Sequence, residues 1–336
     1  MYRWLRKGMF LLGPETAHEA AVHAMAAGHL TGMSRMVIGP MPSCLVDLMG
    51  LTFPNPVGLA AGFDKNGDYI EALGALGFGH IEVGTVTPKP QPGNPKPRLF
   101  RLPEHEAIIN RMGFNNKGVD HLVTRLKRAR YTGVVGANIG RQKGTATDQA
   151  AGDYRTCLEK VYAWCDYVAV NISSPNTPHL RELQDTGPLA ELLKELAQAR
   201  VALEAEHEMY RPIVVKIAPD WDARALDATL KVIGDSGLDG LITTNTTLDR
   251  SAVAGHVNAA QAGGLSGRPL MDLSTHVLAR ARQVLGAGFP ILASGGVHCS
   301  EDALAKQSAG ADLVQLYTGF IYEGPGLIRA CTRAWT

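Results

Sequence analysis

Eight short, β-prone apolar segments recur between residues 57 and 317, and each ends at or beside a polar residue or a glycine. They are residues 57–61, 81–85, 134–139, 167–171, 213–217, 241–245, 291–294 and 313–317. Apolar runs without polar alternation are typical of parallel strands buried on both faces. Helical segments are predicted in the gaps, for example at residues 68–76, 189–208, 223–233, 272–285 and 301–308. The pattern predicts an α/β protein with a (β/α)8 barrel.

A doubly wound open sheet is the alternative, because strand order cannot be read from a succession of strands. We favour the barrel, since its eight carboxyl ends meet at one mouth and would gather the polar strand ends into a single pocket. An open sheet would scatter these strand-end residues along its edge. The strand-end residues are Gly62, Thr85, Asn138, Asn171, Lys216, Thr244, Asn245, Gly296 and Tyr317. For the helix at residues 301–308, Ser300 is the expected N-cap and Gly310 the expected stop.

Composition excludes several classes of protein. The 336 residues carry 33 Lys and Arg against 32 Asp and Glu, a net charge of +1, so no global field would attract nucleic acid. An apolar content of 45% argues against disorder. The five cysteines lack metal-binding or disulfide-framework spacing, so we expect no metal site and a reducing compartment.

The N-terminal segment, residues 1–45, is predicted to form a small helical extension before the barrel domain at residues 46–336. Its first part sets Trp4, Leu5 and Phe10 beside Arg6 and Lys7. A second helix is predicted over residues 17–30. No run reaches the roughly 18 uncharged apolar residues that a spanning helix needs. The first helix either lies in a membrane interface or packs on the main domain, and the sequence pattern alone favours packing.

Three glycine-containing turns, at residues 264–267, 294–296 and 317–319, follow late strands. Barrels often bind phosphate at such turns, where backbone N–H groups approach an anion. Ordinary turn formation explains the glycines equally well. The predicted barrel register is what makes phosphate binding a reasonable expectation.

Amide side chains are concentrated in NISSPNT at 171–177, NRMGFN at 110–115 and TNT at 244–246. Such amides can pair with the carbonyl and N–H groups of a polar heterocycle, although they can also stabilise their own turns. Lys216 interrupts an apolar strand, which is costly without an anionic partner, so we expect a negative charge near it. Lys65 could instead reach solvent.

These motifs, together with LAAGFDK at 59–65, EVGTVTP at 82–88, PRLFRL at 97–102 and QLYTG at 315–319, resemble dihydroorotate dehydrogenase of the membrane-associated, quinone-using class. The resemblance covers essentially the whole chain. It implies an FMN-binding barrel that oxidises dihydroorotate to orotate in pyrimidine biosynthesis and passes electrons to a membrane quinone, either ubiquinone or menaquinone.

The resemblance also implies roles for individual residues. The flavin would be held by Ala61, Gly62, Thr85, Asn138, Asn171, Lys216, Thr244, Gly267, Gly296, Tyr317 and Thr318. The substrate would be bound by Lys65, Asn110, Arg111, Met112, Gly113, Phe114, Asn171, Asn176, Asn245 and Thr246. Ser174 would be the base that removes the C5 proton, with Thr177 and an ordered water as the relay, while a hydride passes from C6 to flavin N5.

The quinone-using subclass is implied by two features. Soluble members of the wider family have a cysteine at the position of Ser174, and the quinone-using class has an N-terminal helix pair that forms an apolar tunnel. His18, Arg101 and Tyr317 match the polar positions at its inner end. We therefore expect a peripheral protein on the cytoplasmic face of a bacterial inner membrane, docked through the N-terminal helices. A soluble dehydrogenase using fumarate or a nicotinamide cofactor, and a non-catalytic flavin-binding barrel, are the rival hypotheses.

Overall fold

Eight parallel strands close into a barrel in this computed structural model, which describes residues 2–32 and 39–335. The predicted barrel is confirmed, and closure between the last and first barrel strands rules out the open sheet. The barrel strands are β3 (Val57–Leu59), β4 (His80–Val86), β7 (Val134–Ile139), β8 (Tyr167–Asn171), β9 (Ile213–Ile217), β10 (Gly240–Thr243), β12 (Ile291–Ser294) and β13 (Leu313–Leu316).

The described helices surround the barrel or precede it. They are α1 (Tyr2–Phe10), α2 (Pro14–Leu30), α3 (Ile70–Gly74), α4 (Val119–Leu126), α5 (Ala150–Val161), α6 (Thr186–His207), α7 (Ala223–Asp235), α8 (Met271–Leu285), α9 (Ser300–Ser308), α10 (Thr318–Glu323) and α11 (Gly326–Trp335). Every residue of the eight barrel strands is buried, as expected for strands covered on both faces.

Five further strands were not predicted. A hairpin of β1 (Val46–Leu48) and β2 (Leu51–Phe53) packs its apolar residues against the amino ends of the barrel strands. An antiparallel sheet forms from β5 (Leu99–Leu102), β6 (Ala107–Asn110) and β11 (Gly264–Gly267). This sheet joins the loop after the second barrel strand to the loop after the sixth, so it brings two distant segments of the chain together beside the mouth.

Two local predictions need correction. The N-cap of α9 is Cys299, not Ser300, because the carboxylate of Asp302 accepts hydrogen bonds from the backbone N–H groups of His298 and Cys299, at 2.8 and 3.1 Å. Gly310 does follow the helix end, with φ of +103°. The helix predicted at 68–76 is only α3, since the chain before it forms a turn around the carboxylate of Asp64.

The N-terminal helices lie on the carboxyl side of the barrel with little burial. None of the side chains of α1 is buried, and in α2 only Ala17 and Val22 are. The first helix is attached to α10, since Tyr2 donates to the carbonyl of Ile321 at 2.7 Å. No described helix is both long and apolar enough to cross a membrane. Residue 1 and residues 33–38 of the predicted extension lie outside the described residues.

Candidate active site

A cleft opens at the carboxyl ends of the barrel strands and gathers nearly all the predicted flavin and substrate residues. Its walls are formed by backbone or side chains of Ala60, Ala61, Gly62, Lys65, Thr85, Asn110, Met112, Gly113, Phe114, Asn171, Ser174, Asn176, Lys216, Thr244, Asn245, Thr246, Ser266, Gly267, Leu270, Ser294, Gly295, Gly296, Val297, Gln315, Tyr317, Thr318 and Gly319. Three predicted residues, Arg111, Asn138 and Thr177, are not among them. Of the nine strand-end residues expected to surround one pocket, eight line this cleft and Asn138 does not.

Two of these three residues, Arg111 and Asn138, make their side-chain contacts outside the cleft wall or beneath it. The guanidinium of Arg111 lies 4.7 Å from the centre of the Phe100 ring and donates to Gln261, so it points away from the cleft. Asn138 lies below the cleft floor, where its Oδ1 accepts from the hydroxyl of Thr85 at 2.5 Å. The side chain of Arg111 is thus unsuited to contact a ligand in the cleft.

Asn171, the last residue of β8, organises the amides of the cleft. Its Nδ2 donates to Thr85 Oγ1 at 3.0 Å, and its Oδ1 accepts from Ser173 Oγ at 3.1 Å and from Asn245 Nδ2 at 3.3 Å. On the opposite side, Asn176 Nδ2 donates to the Oδ1 of Asn110 at 3.1 Å. These bonds connect the loops after the second, fourth and sixth strands, so the amides are oriented before any ligand enters.

The loop after β8 also carries the two hydroxyl groups predicted to move a proton. Ser174 is buried, and its Oγ accepts from the backbone N–H of Asn176 at 3.2 Å. Thr177 Oγ1 is buried and has no hydrogen-bond partner within the described part of the chain. A buried hydroxyl costs free energy when it is unpaired, so Thr177 is suited to bond a water or a substrate-bound group.

Arg181, which the sequence motifs did not indicate, holds this loop in place. Its guanidinium donates to the carbonyls of Ser173 and Thr246, at 3.1 and 3.0 Å, and pairs with Asp220 at 2.8 Å. One side chain thereby ties the loop after the fourth strand to the loop after the sixth. Arginine suits this task because its planar donors point in fixed directions.

Lys65 faces the cleft and donates from Nζ to the carbonyl of Gly62 at 2.8 Å. Burial, followed by the nearby charge of Arg98, lowers the pKa of Lys65 to about 8, while Glu15 and Asp64 raise it. Below that pH the ammonium offers a positive charge to an anionic ligand. The carboxylate of Asp64 accepts from the backbone N–H groups of Asn66, Asp68 and Tyr69, so the chain that follows Lys65 is held in a turn.

The anion expected near Lys216 is Glu82, whose Oε1 lies 3.9 Å from Lys216 Nζ. Glu82 is fully buried and accepts hydrogen bonds from Asn138, Tyr167 and Gln315 at 2.8, 3.0 and 2.8 Å. Burial lowers the pKa of Lys216, and Glu82 opposes that effect. A carboxylate inside the apolar strand β4 was the available signal, and the reasoning applied to Lys216 would have found it.

The glycine turns form one end of the cleft. Gly267 has φ of +100° and Gly296 has φ of +85°. A Cβ would lie 2.3 Å from the Glu106 carbonyl oxygen at the first and 2.3 Å from Met271 Cα at the second, so neither position tolerates a side chain. Beside them, Ser266 Oγ and Thr318 Oγ1 are 2.8 Å apart. One end of the cleft thus offers glycine backbone and hydroxyl donors, and the other end offers Lys216 and amide side chains. This arrangement fits a flavin that carries a phosphate.

A second, more apolar cavity lies beneath α1 and α2. It contains the predicted polar residues His18, Arg101 and Tyr317, and it shares Lys65, Met112 and Tyr317 with the cleft. Its empty space, counting the open side, is about 2200 Å³ against about 980 Å³ for the cleft, which leaves room for an extended apolar ligand.

Two of these polar residues, His18 and Arg101, differ in charge. Burial lowers the pKa of His18 to about 4, so its ring is neutral at pH 7 and can donate or accept one hydrogen bond. Its ring centre lies 4.8 Å from that of Phe63. Arg101 stacks over Phe10 at 4.4 Å and donates to the carbonyl of Leu12 at 2.9 Å, so it attaches the N-terminal segment to the barrel.

Comparison with known proteins agrees with the geometry. The family model described as dihydroorotate dehydrogenase matches residues 44–334. A protein of Marinomonas sp. (strain MWYL1), named dihydroorotate dehydrogenase (quinone), is 55% identical over 98% of this chain and 95% of its own length. A protein of the same name from Marinobacter nauticus (strain ATCC 700491 / DSM 11845 / VT8) is 51% identical over 99% of this chain and 98% of its own.

Solved structures give the same answer. The crystal structure of an Eimeria tenella protein, described as DHODH in complex with ferulenol, superposes with a TM-score of 0.87 at 37% identity, covering 96% of this chain and 90% of that one. A ligand-free form from the same organism gives a TM-score of 0.85. The family model spans most of the chain, and relatives more than 50% identical match it over at least 95% of their own length, so this chain belongs to the dihydroorotate dehydrogenase family.

Proposed function

We propose that this chain oxidises dihydroorotate to orotate and delivers the electrons through FMN to a membrane quinone, as a step of pyrimidine biosynthesis. The observation that carries the proposal is the pair of cavities with shared walls. A polar cleft with lysine, serine and asparagine side chains adjoins an apolar cavity through Lys65, Met112 and Tyr317. A substrate and a second, apolar acceptor could thus use one flavin from two sides.

FMN would be held at both ends of the cleft. Its phosphate would meet the backbone of Gly267, Gly296 and Thr318, and its ring system would lie near Lys216 and Asn171. When bound, FMN supplies an acceptor for a hydride and a donor of electrons to the quinone. Ala61, Gly62, Thr85, Thr244 and Tyr317 complete the proposed flavin contacts, with Asn138 acting from behind through its bond to Thr85.

Dihydroorotate carries a carboxylate and a cyclic diamide, and the cleft offers matching groups. The Lys65 ammonium would bind the carboxylate, and Asn110, Asn171, Asn176 and Asn245 would pair with the ring carbonyl and N–H groups. The remaining proposed contacts come from Met112, Gly113, Phe114 and Thr246, with Arg111 limited to its backbone. Because the asparagine side chains already orient one another through hydrogen bonds, they lose little conformational entropy when dihydroorotate binds.

Ser174 is proposed to take the proton from C5 of the substrate. A serine hydroxyl is a poor base unless its own proton is removed, and no described residue accepts a hydrogen bond from Ser174 Oγ. Thr177 Oγ1, buried and unpaired, is proposed to receive that proton through a water. Arg181 holds the loop that carries both hydroxyls.

The quinone is proposed to enter the second cavity and to meet His18, Arg101 and Tyr317 at its inner end. Residues 1–45 would form the docking segment and residues 46–336 the catalytic barrel. Trp4 and Leu11 of the docking segment are 76% and 89% exposed, beside basic residues, which suits an interfacial position on a membrane with anionic lipids. We propose a peripheral location on the cytoplasmic side of a bacterial inner membrane.

Anaerobic stopped-flow mixing tests this proposal. The purified protein is mixed with dihydroorotate and then with a ubiquinone analogue while flavin absorbance is followed. Bleaching by the substrate and recovery with the quinone would support both half-reactions. Bleaching without recovery would favour a soluble-type acceptor such as fumarate, and a flavin that is bound but never bleached would favour a non-catalytic barrel.

A further inference from the structure

A buried ammonium group lies behind the glycine turn at residues 294–296 and has no part in the proposed reaction. Lys306 of α9 is fully buried. Its Nζ donates to Ser274 Oγ at 2.6 Å and to the Met271 carbonyl at 3.4 Å, both in the first turn of α8. Complete burial of a lysine is costly unless an anion lies close to it.

No carboxylate of residues 2–32 or 39–335 lies within 4.0 Å of this ammonium. The carboxylate of Asp302, on the same helix, is already used by the N–H groups of His298 and Cys299. The amino end of α8 adds partial positive charge instead of compensating it. Burial lowers the pKa of Lys306 to about 7, while the more distant Asp302 and Asp272 raise it. The protein itself therefore leaves this cation without a close counter-charge.

Two short contacts connect Lys306 to the anion end of the cleft. Ser274 Oγ, which accepts from Lys306, also lies 3.1 Å from the carbonyl oxygen of Gly295. Met271, whose carbonyl faces the ammonium, packs directly against Gly296. Both glycines belong to the cleft wall. The positive charge is thus placed immediately behind the turn that is suited to receive an anion.

We propose that Lys306 is a positioning residue that supplies the counter-charge of the flavin phosphate, acting through Ser274 and the Gly295–Gly296 turn. This inference rests on the proposed function, since FMN provides the phosphate. A phosphate monoester carries between one and two negative charges near neutral pH and would stabilise the ammonium that the protein leaves uncompensated. Lys306 need not touch the phosphate, because electrostatic attraction persists across a poorly solvated protein interior.

Comparing FMN with riboflavin tests the proposal, since riboflavin has the same ring system and ribityl chain but lacks the phosphate. The purified holoprotein and its Lys306→Met and Lys306→Gln variants are diluted serially, and flavin release is followed by fluorescence. Riboflavin affinity is measured after exchange into excess riboflavin. We expect each variant to weaken FMN binding by about tenfold or more and riboflavin binding by less than about twofold.

A matched control is Lys194→Met, which removes an exposed lysine from α6 and should change neither affinity. Equal losses for both flavins would show that Lys306 acts only through folding and would overturn the proposal, as would unchanged FMN affinity. If the methionine variant does not fold, Lys306→Gln decides, because glutamine keeps a donor for Ser274 without the charge. Failure of the unaltered protein to bind FMN would instead contradict the proposed function.

Discussion

The cleft at the barrel mouth and the cavity beneath α1 and α2 share three wall residues but are built in different ways. The cleft takes its side chains from strand ends that are hydrogen-bonded on both sides, and its Asn171 and Lys216 are only 5% and 4% exposed. The cavity is covered by α1, which has no buried side chain, and by α2, which has two. Polar side chains fixed on buried strand ends suit the proposed chemistry. Helices that bury few side chains, such as α1 and α2, suit the proposed exchange of an apolar ligand with a membrane.

Deleting the helices α1 and α2 is the test of this difference with the largest expected effect. A chain lacking residues 1–40 should lose quinone reduction, because the apolar cavity loses about half of its lining residues, while dihydroorotate still bleaches the flavin at close to the original rate. The stopped-flow assay with sequential addition of substrate and quinone measures both steps on one sample. Full quinone activity in the shortened chain would show that the acceptor does not use this cavity.

Within the cleft, the largest expected effect comes from Ser174→Ala. Because Ser174 is the proposed general base, the variant should reduce the flavin about 10²–10⁴-fold more slowly, and orotate and FMN should still bind because the amides are unchanged. Single-turnover flavin reduction gives the rate, and a spectral titration with orotate gives the affinity. Ser251→Ala, in an exposed turn, is the matched control. An unaltered reduction rate would place the base elsewhere.

The buried pair beneath the cleft should govern stability more than catalysis. Glu82→Gln leaves Lys216 without its anion and disturbs three hydrogen bonds, so we expect the free energy of unfolding to fall by about 3–5 kcal/mol. Urea denaturation of the holoprotein measures this, with Glu191→Gln on the exposed side of α6 as the control. If the free energy of unfolding fell by no more than in the control, the Glu82–Lys216 pair would contribute little to the stability of the barrel.

The smallest effect concerns Lys65, which both cavities share. Its pKa of about 8 means that the ammonium is present below that pH and is lost above it. The substrate carboxylate stays ionised over this range, so loss of the Lys65 charge should lower kcat/KM for dihydroorotate as pH rises through about 8. A kcat/KM that falls little over this range would show that another group binds the carboxylate.

Glu15 connects this effect to the cover, since it forms a bidentate pair with Arg98 at 3.1 and 3.0 Å and raises the pKa of Lys65. Glu15→Gln should therefore move the fall in kcat/KM to lower pH, by less than about one pH unit. Glu159→Gln, in an exposed helical ion pair, should leave the profile in place. An identical profile for both variants would argue that the N-terminal helix has no electrostatic influence on the substrate site.

Much of this architecture was predictable because its signals are local. Continuous apolar segments predicted eight buried strands, and the polar residue at each strand end predicted the residues around the mouth. The limits of α3 and the N-cap of α9 were not predictable in the same way. Each depends on a carboxylate, Asp64 or Asp302, that accepts backbone hydrogen bonds in a turn, and alternative turns differ by little free energy.

The sequence by itself determined the strand succession, the glycine turns and the need for a negative charge near Lys216. Only the tertiary structure decided that Glu82 meets that need, that Arg181 joins the loops after the fourth and sixth barrel strands, and that Lys306 lies behind Gly295 without a close carboxylate. The reason is physical: a periodic apolar pattern reports burial of its own segment, whereas the partner of a buried charge is chosen by barrel closure, which brings together residues far apart in the chain.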